Sequence, residues 1–142
     1  MTEINTNKLL DALEEESNQS IMNLTSAKIS KQKNDMLQQL GLPRDKLKLI
    51  HKKLKKYRYC SDLKDLQYGF YIRWVPLKDL NNLYLTNGAI FCNTKIVNNM
   101  IHIICKNNRN RLFQFKFDES LIFQKISKQE AVILKVLDYI AQ

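Results

Sequence analysis

Glycine, proline, histidine and tryptophan are all scarce in this chain. Three glycines in 142 residues leave nothing from which to build a Gly-rich, phosphate-cradling loop. The metal-ligating residues are equally sparse. Two histidines, His51 and His102, and three cysteines, Cys60, Cys92 and Cys105, show neither CxxC nor HExxH spacing, so no metal site and no cofactor is expected. An odd cysteine count, with two of the three inside expected strands, reads as reduced thiols in a reducing compartment. There is no long uninterrupted apolar run, so no membrane-spanning helix is expected. The opening Met-Thr-Glu-Ile-Asn has neither a basic start nor an apolar stretch, so a secretory signal is not expected either. The expectation is a soluble, intracellular protein.

Catalytic constellations are missing too. No GxSxG motif occurs, and the carboxylates do not converge. Asp118-Glu119 belongs to an expected hairpin turn, and Asp62 and Asp65 precede a strand, where solvation or helix termination explains them. A two-metal nuclease needs several convergent carboxylates. The chain reads as non-enzymatic.

What the chain does have is positive charge, +9 overall with a pI near 9.5. That balance points to nucleic acid, an anionic surface or an acidic protein. The wealth of Asn, Lys and Ile is also the bias of an AT-rich genome, which lowers the weight of a lysine count alone. The charge is concentrated. Between Arg44 and Arg58 there are eight Lys or Arg and one Asp, a local +7. Wound as a helix over 43–58, the segment puts Leu47, Ile50, Leu54 and Tyr57 on one stripe. Arg44, Lys48, Lys52, Lys55 and Lys56 cover the opposite face, with Lys53 and Arg58 adding to the charge.

An apolar content of 44% is enough for one α+β domain over 30–142, behind an acidic and polar extension, 1–29, that is weakly ordered on its own. Within the extension, Asn7 to Glu16 has the pattern of a short helix, and 17–29 reads as a linker. Ser30 is the expected N-cap of a helix to Leu40. Gly41 then takes a left-handed C-terminal position, Leu42 folds back on Leu37, and Pro43 opens the basic helix. The 30–58 unit thus has a helix-turn-helix outline, but its second helix is nearly all lysine, which suits phosphates better than base edges.

From Tyr68 the period changes to two. A strand through Phe70, Ile72 and Trp74 stops at Pro76, and Leu83 to Leu85 reads as a brief strand before the turn Asn87-Gly88. Ala89–Val97 and Met100–Lys106 are joined by Asn98-Asn99, a two-residue turn that accepts positive φ. A polar tip follows, then Leu112–Phe117 with Phe113, Phe115 and Phe117 on one face, then Leu121–Ile126. The 68–126 region is a four- to five-strand antiparallel meander or small barrel. Ser127 and Glu130 form a capping box for a C-terminal helix over 127–142 that packs on the sheet.

Three features favour binding. One is the basic helix. The second is the tip, where Lys106, Arg109 and Arg111 stand among three asparagines. The third is the interleaving of Tyr57, Tyr59, Tyr68, Phe70, Tyr71 and Trp74 with Lys and Arg, a pattern found in stacking platforms for single strands. Each has a plainer explanation, as a solvated face, a solvated loop or a core strand.

Over residues 68–140, Tyr71-Ile72-Arg73-Trp74, Leu85-Thr86-Asn87-Gly88-Ala89-Ile90, Cys105-Lys106-Asn107-Asn108 and Leu121-Ile122-Phe123-Gln124-Lys125-Ile126-Ser127 carry a resemblance. They resemble small uncharacterised proteins of large double-stranded DNA viruses of protists. The resemblance implies a protein working in the cytoplasm or nucleus of an infected cell, or packaged in the virion, and transfers no active site.

The expected function is a small basic protein that binds DNA or RNA with weak sequence selectivity. Arg44, Lys48, Lys52, Lys53, Lys55, Lys56 and Arg58 would contact phosphates together with Lys106, Arg109 and Arg111. The alternative is a structural or adaptor protein, such as a virion component, that docks on another protein through the N-terminal segment or a sheet edge. The first reading places the two cationic sets on one face. The second scatters them and exposes an apolar patch.

Overall fold

The capping residues fix where the helices begin. In a computed structural model that describes residues 21, 22 and 24–142, helix α1 covers Ser26–Gln38 and α2 covers Arg44–Lys53. The expected Asn7–Glu16 helix lies outside the described residues. Thr25, not Ser30, caps α1, its hydroxyl accepting from the Lys28 N–H at 3.2 Å. Residues 26–29 are therefore helical rather than linker, and Ile21 and Ile29 are buried beside Ile133 and Leu134. Gly41 takes the expected left-handed conformation, with φ +64°.

The basic helix is shorter than its periodicity predicts. It ends at Lys53, and Tyr57–Cys60 is strand β1. Two interactions across the chain override the helical pattern. Lys33, buried on α1, donates to the carbonyls of Leu54 at 2.9 Å and Tyr57 at 3.0 Å, holding the chain in a turn after the helix. β1 then pairs antiparallel with β6, Tyr57 opposite Lys125 and Cys60 opposite Ile122. Within Tyr-Arg-Tyr-Cys the side chains alternate between two buried layers, which suits a strand.

The remaining strands are β2 (Tyr71–Pro76), β3 (Ala89–Val97), β4 (Met100–Lys106), β5 (Leu112–Lys116) and β6 (Ser120–Lys125). The sheet has six strands rather than four or five, all antiparallel, in the order β1-β6-β2-β3-β4-β5. Leu83 to Leu85 is not a strand, although the neighbouring Thr86 N–H donates to the Trp74 carbonyl at 3.0 Å. The β3–β4 turn is the expected one, with Asn98 and Asn99 both at positive φ, 52° and 64°.

The sheet curls strongly. Three inter-strand steps separate β2 from β5, about 14 Å in a flat sheet, yet the rings of Trp74 and Phe115 stack with centroids 4.4 Å apart. The inner face holds Cys60, Ile72, Trp74, Phe91, Ile103 and Ile122. On the outer face Tyr57, Val75 and Phe123 meet Leu37 and Ile50 from the two helices and Leu54 from the turn after α2. Each fully buried aliphatic side chain there contributes roughly 1.5–3 kcal/mol.

Helix α3 (Lys128–Ile140) starts at the expected capping box of Ser127 and Glu130. Its apolar side meets Ile21, Ile29 and Ile126, and the Asp138 carboxylate accepts from the Ser26 N–H and hydroxyl at 2.7 and 2.6 Å. Its first turn reaches the sheet through a buried ion pair, Arg58 Nη2 to Glu130 Oε2 at 3.7 Å.

Candidate nucleic-acid interface

The ten cations that the sequence nominates fall into three settings. Arg44, Lys48, Lys52 and Lys53 on α2, and Lys55 and Lys56 in the turn after it, are all exposed. Lys106, Arg109 and Arg111 are exposed around the β4–β5 turn. Arg58 is the correction. It is 2% exposed because β1 turns it inward, where it donates to the Asp65 carbonyl at 3.2 Å and pairs with Glu130. No phosphate reaches it there.

The first two sets do not share a sheet face. Helix α2 packs on the outer layer through Ile50, while the β4–β5 turn borders a cleft walled by the inner-face residue Trp74. The cleft, about 800 Å³, lies between β2 and β5. Its walls are the rings of Tyr71, Trp74, Tyr84, Phe113 and Phe115, and its rim carries Asn87, Asn107, Asn108 and Arg109. Trp74 is the anchored floor, only 7% exposed, stacked on Phe115 and edge-on to Phe113 with centroids 6.4 Å apart. Tyr71, Tyr84 and Phe113 are 36%, 47% and 37% exposed. Large rings this open cost apolar hydration unless something covers them.

Side-chain hydrogen bonds tie the walls of the cleft together. Tyr71 Oη donates to the Asn87 carbonyl at 2.8 Å, Arg73 Nε to the Thr86 carbonyl at 2.9 Å, and the Trp74 N–H to Thr86 Oγ1 at 3.1 Å. Gly88 completes the corner. With φ +89° it occupies space where a Cβ would collide with the Ile72 carbonyl oxygen and the Arg73 and Tyr71 side chains. On the other rim, Asn107 Oδ1 accepts from the N–H groups of both Arg109 and Arg111 at 2.9 Å. That Asx-type turn holds the arginine backbone in place.

The aromatics that the sequence groups together separate in three dimensions. Tyr57 and Tyr59 belong to the outer layer, and Tyr68 stacks on Phe91 at 5.0 Å. Of that group Tyr71 and Trp74 line the cleft. Tyr84, Phe113 and Phe115 join them; Phe113 and Phe115 had a sequence signal as a strand face, while Tyr84 lay in the brief strand expected over Leu83 to Leu85, which does not form. Tyr84 sits in a long connection, where periodicity says nothing about what it faces.

Burial pushes the thiols of Cys60 and Cys105 up to about 12, which makes them poor nucleophiles. The buried polar group of Arg58, Gln124 and Glu130 serves the fold: Gln124 accepts from the Gln67 N–H at 2.8 Å and donates to the Asp65 carbonyl at 3.3 Å. Burial raises the Glu130 carboxyl above its ordinary value, while Ser127 and Arg58 oppose the shift. Among the described residues no three His, Cys, Asp or Glu side chains are grouped to hold a metal ion, and no helix is long and apolar enough to cross a membrane. Compared with family models, curated proteins and solved structures, the chain matches none.

Proposed function

We propose that this is a small nucleic-acid-binding protein whose recognition surface is the β2–β5 cleft, with single strands as its ligand. The observation that carries the reading is the company the exposed rings keep. Tyr71, Tyr84 and Phe113 open onto the same hollow as Arg109 and the amides of Asn87, Asn107 and Asn108. Rings offer stacking surface to any unpaired base, roughly 1–3 kcal/mol per base. Amides can pair with base edges, and the arginine with a phosphate. A duplex keeps its bases stacked inside and cannot use such rings.

The exposed lysines of α2, on the other side of the sheet, support a second, purely electrostatic contact. They raise the local concentration of polyanion without selecting a sequence. A chain with the viral kinship that its C-terminal half suggests would meet such single strands in an infected cell or a particle.

The test is a titration of labelled single- and double-stranded oligonucleotides by fluorescence anisotropy at two salt concentrations. The reading expects tighter binding of the single strand, with part of the affinity surviving the higher salt. Equal binding of both, abolished by salt, would leave only a generic polycation.

One observation favours the adaptor alternative. Among the described residues β5 pairs on one side only, with β4, and Leu112 on it is 65% exposed. A partner's extended segment could add there as a further strand. Binding of neither oligonucleotide at low salt would favour that reading.

A further inference from the structure

The seam between β2 and β5 does not end at the first cleft. A second hollow of about 370 Å³ is lined by Pro76 of β2, Lys78 just beyond it, His102 of β4, Lys116 at the end of β5, and Glu119 in the short turn between β5 and β6. Gln114 and Phe115 line both hollows, so the two adjoin along β5. The chemistry changes along it. The first hollow has five rings and one cation, whereas the second has one ring, Phe115, with two lysines and a histidine. Glu119 is the one acid among the lining residues, and it lies 3.6 Å from Lys116 in a half-exposed pair. Solvent screening leaves such a pair easily exchanged for a stronger anion. His102 Nδ1 and Gln114 Nε2, 3.0 Å apart, brace the wall between the hollows.

We infer, resting on the single-strand reading of the first cleft, that the second hollow is its phosphate subsite. Bases stack in the aromatic hollow, and the backbone of the nucleotides that follow lies against Lys78 and Lys116. The dimensions agree. Five residues of β5 extend about 17 Å, the length of roughly five stacked nucleotides at about 3.4 Å each. A mononucleotide or dinucleotide would therefore fill only the aromatic end, while a hexanucleotide would reach the lysines.

The chain has one tryptophan, Trp74, and it lines the first hollow and not the second. Its fluorescence therefore reports chiefly on the aromatic end. The experiment titrates thymidine dinucleotide and hexanucleotide into the full chain and into the double variant Lys78→Gln, Lys116→Gln. The hexanucleotide should bind the double variant about tenfold more weakly, with its logarithmic salt slope reduced by about 1.4, two phosphates at about 0.7 each. The dinucleotide should be unaffected. In the opposite direction, Glu119→Gln should free Lys116 and tighten the hexanucleotide alone. If the double variant weakens both ligands equally, or neither, the phosphate subsite is wrong while the aromatic cleft stands. If neither ligand changes Trp74 fluorescence in the unmodified protein, the single-strand reading fails and the subsite with it.

Discussion

Two exposed surfaces of this molecule are cationic, the free face of α2 and the mouth of the β2–β5 cleft, and they differ in almost every other respect. On α2, seven exposed Lys or Arg over Arg44–Lys56 stand on a helix and its following turn. None of them lines either cleft. At the cleft, fewer cations stand beside five rings and several amides whose backbone is fixed by side-chain hydrogen bonds. The first surface can attract an anion. The second can also hold a base. On the proposed reading, charge density alone is a poor guide to where recognition happens, and the better signal is charge together with open aromatic area.

The comparison breaks most severely at Gly88. A Val there meets the Ile72 carbonyl and a positive φ that β-branched residues do not adopt, so Gly88→Val should cost several kcal/mol, on the order of 3. Chemical denaturation would read this as a lowered midpoint, and what remains folded should have lost its cleft but kept α2. Next come the rings themselves. Tyr71→Ala and Phe113→Ala should each weaken single-strand binding by about 1–2 kcal/mol with little change in salt slope, measurable by anisotropy at two salts. On α2 the joint change of Lys48, Lys52, Lys55 and Lys56 to Gln should act differently. It should lower affinity for single and double strands alike and flatten the salt dependence.

A test of stability and not of binding lies at the joint between helix and strand. Lys33→Ala leaves the Leu54 and Tyr57 carbonyls without that donor and should cost about 1–3 kcal/mol, while binding in the cleft stays intact. The smallest expected effect is a pH slope. The Glu130 carboxyl titrates above its ordinary 4.5 because burial disfavours its charge. The folded state then binds more protons than the unfolded one above pH 4.5. This contribution is complete below that pH and is lost as pH rises through the folded value. Glu130→Gln should remove that part of the slope from a series of denaturant midpoints.

Much of the fold was legible because its signals are local. The capping box at Ser127 and Glu130, the left-handed Gly41 and the Asn98-Asn99 turn each depend on a few adjacent residues. What local pattern could not show was β1, since Tyr57 continues the helical stripe of Leu47, Ile50 and Leu54. Only the pairing with β6 and the Lys33 contacts turn that stretch into a strand. The same limit applies to the site. Arg109 was visible as a tip cation and Tyr71 and Trp74 as strand aromatics. Their meeting with Tyr84 and Phe113 depends on the curl of the sheet, and the inward turn of Arg58 depends on a glutamate more than seventy residues away.

The most direct test sets the two surfaces against each other in one experiment. A labelled single-stranded hexanucleotide is titrated at moderate salt into three proteins: the unmodified chain, the Tyr71→Ala, Phe113→Ala double variant, and the four-lysine variant of α2. The account predicts the greater loss, more than tenfold, in the ring variant. A ring variant that binds like the unmodified chain, with binding abolished in the lysine variant, would contradict it and return recognition to the helix.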